Sequence, residues 1–228
     1  MRLLSNEAAT PTTRIVRVAL DGAPFPYRAG QAALLGLHEN EERTPYSIAS
    51  APYESATEGH LEFLVKVDGT SRFGAIVSDL QPGIRIFVSP AGGRFGLPPD
   101  AIKSPLLFIG GGTGVAPLRS MILDVIHEGR LERPPALVYS ARSPEEFAYA
   151  DQLRALHDAG KLTLILTLTG DARDWRHARG RAGAEHLADL ATPRTLCFIC
   201  GPPSMVTDLP QALMALGVPR QQIKTEDW

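Results

Sequence analysis

The run Gly110-Gly111-Gly112-Thr113-Gly114-Val115-Ala116-Pro117 constrains this chain more than any other stretch. The apolar residues Leu106-Leu107-Phe108-Ile109 before it read as a buried strand. Leu118, Met121, Ile122, Val125 and Ile126 after it are spaced as one face of a helix. Strand, glycine loop and helix in that order present backbone N–H groups and the positive end of a helix dipole to a phosphate. Glycine also lets an anion approach with no Cβ in the way. A plain strand-to-helix turn needs one glycine, and here four of the five residues 110–114 are glycine. Pro117 suits the first helical position, where its missing N–H has no helical partner. The stretch predicts a phosphate or dinucleotide cradle.

The rest of the chain is long enough to build around such a cradle. Its 228 residues suffice for one large domain or two small ones, each with its own core. Hydrophobic residues at 44%, charged residues at 21% and a net charge of -2 describe a soluble globular protein. They exclude the basic tail or patch of a nucleic-acid binder. Met1-Arg2-Leu3-Leu4-Ser5-Asn6-Glu7 has no apolar core of signal-peptide length, and no run approaches the ~18 apolar residues of a membrane span. The expectation is a cytoplasmic protein, with Thr10 to Thr13 a loose lead-in. Cys197 and Cys200 are its two cysteines, too few for a disulfide framework or an iron–sulfur cluster. Both fall in the strand-like Thr195-Leu196-Cys197-Phe198-Ile199-Cys200, where residues three apart face opposite sides, so a redox pair or half zinc site is disfavoured.

Residues 13 to 101 read as short strands: Arg14–Val18, Ala32–Leu37, Leu61–Val67 and Arg85–Val88, punctuated by Asp21-Gly22, Gly30, Asn40, Asp68-Gly69 and Pro82-Gly83. Strands at this spacing predict an antiparallel barrel or sandwich, interrupted by a short helix that buries Phe73, Ile76, Val77 and Leu80. After Leu97-Pro98-Pro99-Asp100 the pattern changes to alternating strands and helices. Strands are expected at Ala136–Tyr139, Leu162–Leu168, Thr195–Cys200 and Ile223–Glu226. A helix is expected to start at Ser143-Pro144-Glu145-Glu146, with Ser143 as cap, and to bury Phe147, Ala150, Leu153 and Leu156. Further helices are expected near Ala184–Leu190 and through Met205, Leu209, Leu213 and Leu216. Such alternation predicts a doubly wound parallel sheet. The expected division is residues 1–100 and 101–228.

In such a sheet ligands bind beyond the carboxyl ends of the strands. Four of those ends carry polar or glycine-rich chemistry: the glycine loop, Tyr139-Ser140-Ala141-Arg142, Thr167-Leu168-Thr169-Gly170 and Cys200-Gly201-Pro202-Pro203. Arg142 is a candidate charge-assisted partner for a phosphate.

Thr44-Pro45-Tyr46-Ser47, Gly110–Pro117 and Cys200-Gly201-Pro202-Pro203-Ser204-Met205 together resemble the three motifs of the ferredoxin–NADP reductase superfamily, in family order and across nearly the whole chain. That resemblance implies an all-β antiparallel barrel of Greek-key type binding FAD, followed by an α/β doubly wound domain binding NADPH or NADH. It implies cofactor contacts from Tyr46, Ser47, Gly111, Gly112, Thr113, Gly114, Pro117, Cys200, Gly201 and Pro202, to which the strand end at Tyr139 and Arg142 adds two more candidates. The family's motif is Arg-x-Tyr-Ser, with the tyrosine stacked on the flavin, the serine near flavin N5 and the arginine on the flavin phosphates. Here the arginine position is Thr44, and Arg43 stands one residue earlier, which in an extended strand faces the other way. Thr44 offers a neutral hydrogen bond instead, beside Pro45. Gly69-Thr70-Ser71 resembles the second phosphate loop, with Thr70 and Ser71 both open as the hydroxyl donor. Ser89–Phe95 resembles a barrel-closing segment of the family.

Glu226-Asp227-Trp228 resembles the carboxyl end of ferredoxin–NADP reductases, which implies that Trp228 covers the flavin face and swings aside for nicotinamide. Ser47, Cys200, Glu226 and Trp228 are then the catalytic set, with Cys200 acting by packing beside nicotinamide C4 rather than as a nucleophile. The implied activity is electron transfer from NAD(P)H through FAD to a one-electron carrier such as ferredoxin or flavodoxin. Alternatives are the reductase component of an oxygenase, a reductase of free flavin or quinone, and a non-catalytic subunit of a larger complex. Arg173, Arg176 and Arg179 leave the choice between NADH and NADPH open.

Overall fold

The computed structural model of the chain describes residues 1–37, 43–67, 71–129 and 131–227. Alternating apolar residues in the amino-terminal half build β1 (Arg2–Thr10), β2 (Thr13–Ala19), β3 (Ala32–Gly36), β4 (Thr44–Ser47), β5 (His60–Lys66) and β6 (Phe87–Val88). The strands hydrogen-bond as β1-β2-β5 and as β4-β3-β6, antiparallel throughout.

Backbone bonds at both edges join these two sheets. Ile48 bridges Phe63 and the Ala49 N–H donates to the Glu62 carbonyl, tying the end of β4 to β5. On the other side the Leu3 N–H donates to Ile84 and the Ile86 N–H to Met1, tying β1 to the run that enters β6. The circuit β1-β2-β5-β4-β3-β6 is closed, the antiparallel Greek-key barrel expected from the sequence. Val16, Val18, Leu35, Ile48, Leu61, Phe63 and Ile86 fill it. The expected short helix is α2 (Arg72–Ile76), continued by a 3-10 turn at Val77–Asp79, and it buries Phe73 and Val77 against that core.

Two readings of this half need correction. Thr10 to Thr13 is no loose lead-in. Thr10 ends β1, Thr13 begins β2, and the two hydroxyls lie 2.8 Å apart across the turn. The sequence also gave no sign of α1 (Pro52–Glu58), which closes on Gly59 in the left-handed conformation at φ 72.

The carboxyl half alternates strands with helices as expected, although the two-residue strand Ala178–Arg179 was not foreseen. Its strands are β7 (Leu106–Gly111), β8 (Ala136–Ala141), β9 (Thr163–Leu168), β10 (Ala178–Arg179), β11 (Leu196–Gly201) and β12 (Ile223–Asp227). They form one parallel sheet in the order β10-β9-β8-β7-β11-β12. Helices α3 (Val115–Glu128) and α4 (Ala150–Asp158) cover the face that carries Phe108, Tyr139, Phe198 and Cys200. Helices α5 (Ala184–Leu187) and α6 (Pro203–Ala215) cover the face that carries Leu107, Ile109, Val138, Cys197 and Ile199. The two cysteines are thus buried on opposite faces, as their strand spacing requires. Burial pushes the Cys197 thiol up to about 12.

The helix expected from Ser143 is broken. Pro144–Glu146 is a single 3-10 turn, Ser143 makes no cap through its side chain, and α4 starts afresh behind Tyr149 at φ 59. The break lets Phe147 drop between Tyr139 (ring centroids 5.1 Å) and Trp175 (5.5 Å, stacked), a contact a continuous helix would not reach.

Candidate active site

Chain order reverses at β7: the chain runs outward to β8, β9 and β10 on one side and returns to β11 and β12 on the other. Such a reversal opens a crevice beyond the strand ends, where α/β sheets bind their ligands. The glycine loop stands at this crevice. Parallel register aligns Gly110, Cys200 and Glu226 in a row across β7, β11 and β12.

The loop folds as a 3-10 turn, Gly112–Gly114, leading into α3. A Cβ on Gly114 would lie 2.1 Å from the Cys200 carbonyl oxygen and 2.9 Å from the Gly201 nitrogen. A Cβ on Gly111 would lie 2.9 Å from Met205 Cε and 3.0 Å from Pro202 Cδ. Gly114 is required by close approach to backbone, Gly111 packs against the side chains of Met205 and Pro202, and the two contacts bring Gly201 and Pro202 beside the loop. Gly112 is exposed at φ 55 and Thr113 is half-buried, so those two residues carry the face a phosphate would meet.

Two of the expected ligand contacts are internal instead. Pro117 is the third residue of α3 rather than the first, and it is buried. It is tolerated because none of the first-turn N–H groups has a helical acceptor. Tyr139 has no exposed surface. Its hydroxyl donates to the Gly112 carbonyl at 3.0 Å and accepts from the Ala148 N–H at 3.2 Å. Its part is to prop the loop from below. Arg142 is exposed at the end of β8, on the rim.

From the barrel side β4 delivers its motif to the same place. The Ser47 hydroxyl is 3.4 Å from Glu226 Oε2, and the Cys200 thiol reaches that oxygen at 3.9 Å. Residues from the barrel, the glycine-loop strand's neighbour and the last strand therefore converge on one carboxylate. Burial raises the Glu226 carboxyl from 4.5 to about 7; the Ser47 hydroxyl bond opposes that rise and the Asp227 carboxylate adds to it. Near neutrality this group is poised to hold or release a proton.

Tyr46 is only 7% exposed and belongs to the barrel core, edge-on to Phe73 at 5.9 Å. Its hydroxyl lies 2.7 Å from that of Ser71, which also accepts from the Gly74 N–H as the cap of α2. The broad ring face expected from the resemblance is largely covered in this arrangement. Arg43 sits with Cζ 3.8 Å from the Phe87 ring centroid, a cation–π contact on the barrel's side. Thr44 is half-buried and Pro45 exposed on β4. Gly69, Thr70 and Trp228, all expected at the site, lie outside the described residues.

Beyond β9, the Arg179 guanidinium donates to the carbonyls of Ala172 at 2.6 Å and Trp175 at 3.1 Å, bracing its loop. Arg173 and Arg176 are exposed on that loop. No group of three or more metal-ligating side chains occurs among the described residues, and no helix among them is long and apolar enough to cross a membrane.

The sequence pattern of the oxidoreductase NAD-binding domain family matches residues 108–211, the stretch that contains the glycine loop and the Cys200 turn. Terephthalate 1,2-dioxygenase reductase component 2 of Comamonas is 30% identical over 99% of this chain, which spans 66% of that relative's length. Ferredoxin–NADP reductase B of Sorangium cellulosum is 31% identical over 90% of this chain and 87% of its own. The structure of a ferredoxin NADP+ reductase from Neisseria gonorrhoeae with bound FAD and NADP superposes with a TM-score of 0.83 at 25% identity, covering 99% of this chain and 96% of that one. With the closed barrel, the parallel sheet and the glycine cradle in place, the chain belongs to the ferredoxin–NADP reductase superfamily of oxidoreductases.

Proposed function

We propose that the chain is an NAD(P)H-dependent flavin oxidoreductase, with residues 1–100 holding FAD and residues 101–228 receiving NADH or NADPH. The observation that carries this reading is the meeting of Ser47, Cys200 and Glu226 at one carboxylate oxygen, with hydroxyl and thiol at 3.4 and 3.9 Å. The residues present fit both groups. Gly112 is exposed with open space where a Cβ would stand, so the loop leaves its backbone accessible to a phosphate, and the junction of barrel and sheet offers a buried hydroxyl beside a protonatable carboxyl.

Bound flavin and nicotinamide would supply the hydride transfer and the release of single electrons, chemistry that belongs to the cofactors. The chain's own residues supply geometry. Gly112 and Thr113 with the amino end of α3 would hold the nicotinamide dinucleotide's pyrophosphate, and Arg142 would add charge at the rim. Cys200, fully buried, would wall the nicotinamide pocket and keep water from it. The Ser47 hydroxyl would orient the flavin ring edge, and Glu226 would hold a proton on its carboxyl oxygen below about pH 7 and release it above. Thr44, Pro45 and Ser71 would line the flavin side. The exposed Arg173 and Arg176 suit a 2′-phosphate, while Arg179 already braces the loop.

The proposed acceptor is supported by the relatives, which include reductase components of a dioxygenase and of monooxygenases and a ferredoxin–NADP reductase. We propose a separate redox protein, either a ferredoxin or flavodoxin or an oxygenase component. The purified protein assayed under each nicotinamide, with ferredoxin, flavodoxin, free flavin and quinone as acceptors, tests this. Protein-borne flavin and turnover with a redox protein support it. A colourless chain that takes up no added FAD sinks it, and turnover with free flavin or quinone alone replaces the proposed partner.

A further inference from the structure

Hydride transfer requires the glycine loop on one half of the molecule to keep a fixed position against the Tyr46-Ser47 strand on the other. The second turn of α3, the helix that begins at the loop, carries Arg119 and Ser120, and both are buried at 7% and 0% exposure. Their polar groups lie at the junction with the barrel. Arg119 Nη1 donates to the Ala49 carbonyl at 2.7 Å, and Ser120 Oγ donates to the next carbonyl, Ser50, at 2.7 Å. Those two carbonyls continue the strand that carries Tyr46 and Ser47.

The guanidinium is held on its other edges as well. It forks onto the Glu54 carboxylate of α1 at 3.0 and 3.1 Å, and its Nε donates to Gln152 Oε1 of α4 at 2.7 Å. The Tyr149 ring lies 4.8 Å from Cζ, and Glu62 Oε1 of β5 is 3.8 Å from Nη1. Glu62 itself pairs with Arg17 at 2.7 Å. A polar cavity of about 430 Å³ borders the cluster, lined in part by Arg17, Glu54, Glu62, Arg119 and Gln152.

Stability alone does not call for this arrangement, because buried ion pairs can often be replaced by apolar packing at no net loss. What apolar packing cannot supply is direction. A planar fork with fixed donors meets its acceptors in one relative position, and an ammonium in its place does not.

We propose that Arg119 and Ser120 are positioning residues that set the register of the glycine loop against the Tyr46-Ser47 strand. This rests on the flavin and nicotinamide reading above. Displacement of reacting groups by about 1 Å can cost ~10²-fold in rate. Arg119→Met and the milder Ser120→Ala are therefore expected to retain flavin and nicotinamide affinity within a few fold. They should lower the rate of flavin reduction, by about 10²-fold for Arg119→Met and about 10-fold for Ser120→Ala. The long-wavelength absorbance of the stacked nicotinamide–flavin pair should fade in step, and Arg119→Lys should restore only part of either.

The second readout needs no cofactor. Spin labels placed one on the barrel and one on the parallel sheet report the distance between the halves. The wild type should give one narrow distribution and Arg119→Met a broader or shifted one. A wild-type distribution, reduction rate and absorbance in both Arg119→Met and Ser120→Ala would overturn the proposal. If the wild type binds no flavin, the function above fails instead, while the spin-label distances still decide whether the clamp registers the two halves.

Discussion

Gly114→Ala tests the cradle most sharply, because two effects oppose each other and the packing around Gly114 decides between them. Gly114 is at φ -59 and ψ -12, ordinary helical backbone, so by propensity alone alanine would stabilise it. That gain is roughly 0.5–1 kcal/mol. The new Cβ, however, would sit 2.1 Å from the Cys200 carbonyl oxygen, and ordinary contact begins at 3.4 Å, so about 1.3 Å of movement is needed. The obstructing atoms are backbone of β11 (Cys200 carbonyl carbon at 2.5 Å, Gly201 nitrogen at 2.9 Å), which cannot swing aside as a side chain would. Overpacking of this kind costs roughly 1–3 kcal/mol, so the clash outweighs the propensity. A net loss of about 1–2 kcal/mol lowers Tm by roughly 2–8 °C in a chain of this size. Separation of the loop from Cys200 also displaces the nicotinamide seat, for which about 10²-fold in the rate of flavin reduction is expected. The assay is thermal unfolding together with anaerobic stopped-flow reduction, with bound flavin measured first and expected unchanged. A variant as stable as the wild type and reduced at the wild-type rate would refute the claim that Gly114 is demanded by close approach.

Two further substitutions address the proton and the prop. Glu226→Gln removes a carboxyl whose folded-state value is raised to about 7 above an ordinary 4.5. The wild type holds that proton when folded and loses it when unfolded across this window, so its stability falls as pH rises from about 4.5 to 7 and stays lower above. Glu226→Gln should flatten that segment of the Tm-against-pH curve and abolish the matching step in the reduction rate; an unchanged profile removes Glu226 from the proton's path. Tyr139→Phe leaves the buried Ala148 N–H without its acceptor, costing about 1–3 kcal/mol, and frees the Gly112 carbonyl. Isothermal titration should find nicotinamide dinucleotide binding weakened and flavin binding unaltered, and equal losses of both would show that Tyr139 acts through the whole fold.

The alternation of strands and helices after Pro99 was legible wherever an element carries its own apolar period, as at β8, β9 and β11; β10, two residues paired with Thr167 and Leu168, was not. β1 was not legible. Arg2-Leu3-Leu4-Ser5-Asn6-Glu7 has a weak pattern, and it is a strand because β2 on one side and Ile84–Ile86 on the other both hydrogen-bond to it. Such pairing lies far away in sequence and leaves no local trace. At Ser143 the local signals pointed to a continuous helix, and burial of Phe147 between Tyr139 and Trp175 prevailed over them. α1 is preceded at its cap position by Ala51, a residue without a capping side chain; Glu54 reaches back to accept from the Ala51 N–H at 2.8 Å instead.

For the site, the glycine loop was readable from its residues alone, and its tight members Gly111 and Gly114 came with it. The meeting of Ser47, Cys200 and Glu226 was suggested only by resemblance to the family, since sheet register rather than spacing brings them together. Arg119 gave no sequence signal at all. It lies on the helix's buried side, where an apolar residue is the usual expectation, and only the carboxylate and carbonyls of the barrel account for it.

Direct hydride transfer at the junction of barrel and sheet is the core of this account, and a deuterium isotope effect on anaerobic flavin reduction tests it most directly. With nicotinamide dinucleotide deuterated stereospecifically at C4, bleaching of the bound flavin should slow markedly for one C4 epimer and not for the other, because in the proposed site Cys200 and the glycine loop would present a single face of the ring. Flavin that bleaches equally fast with both epimers, or fails to bleach, would contradict the assignment of Ser47, Cys200 and Glu226 to the site of hydride transfer.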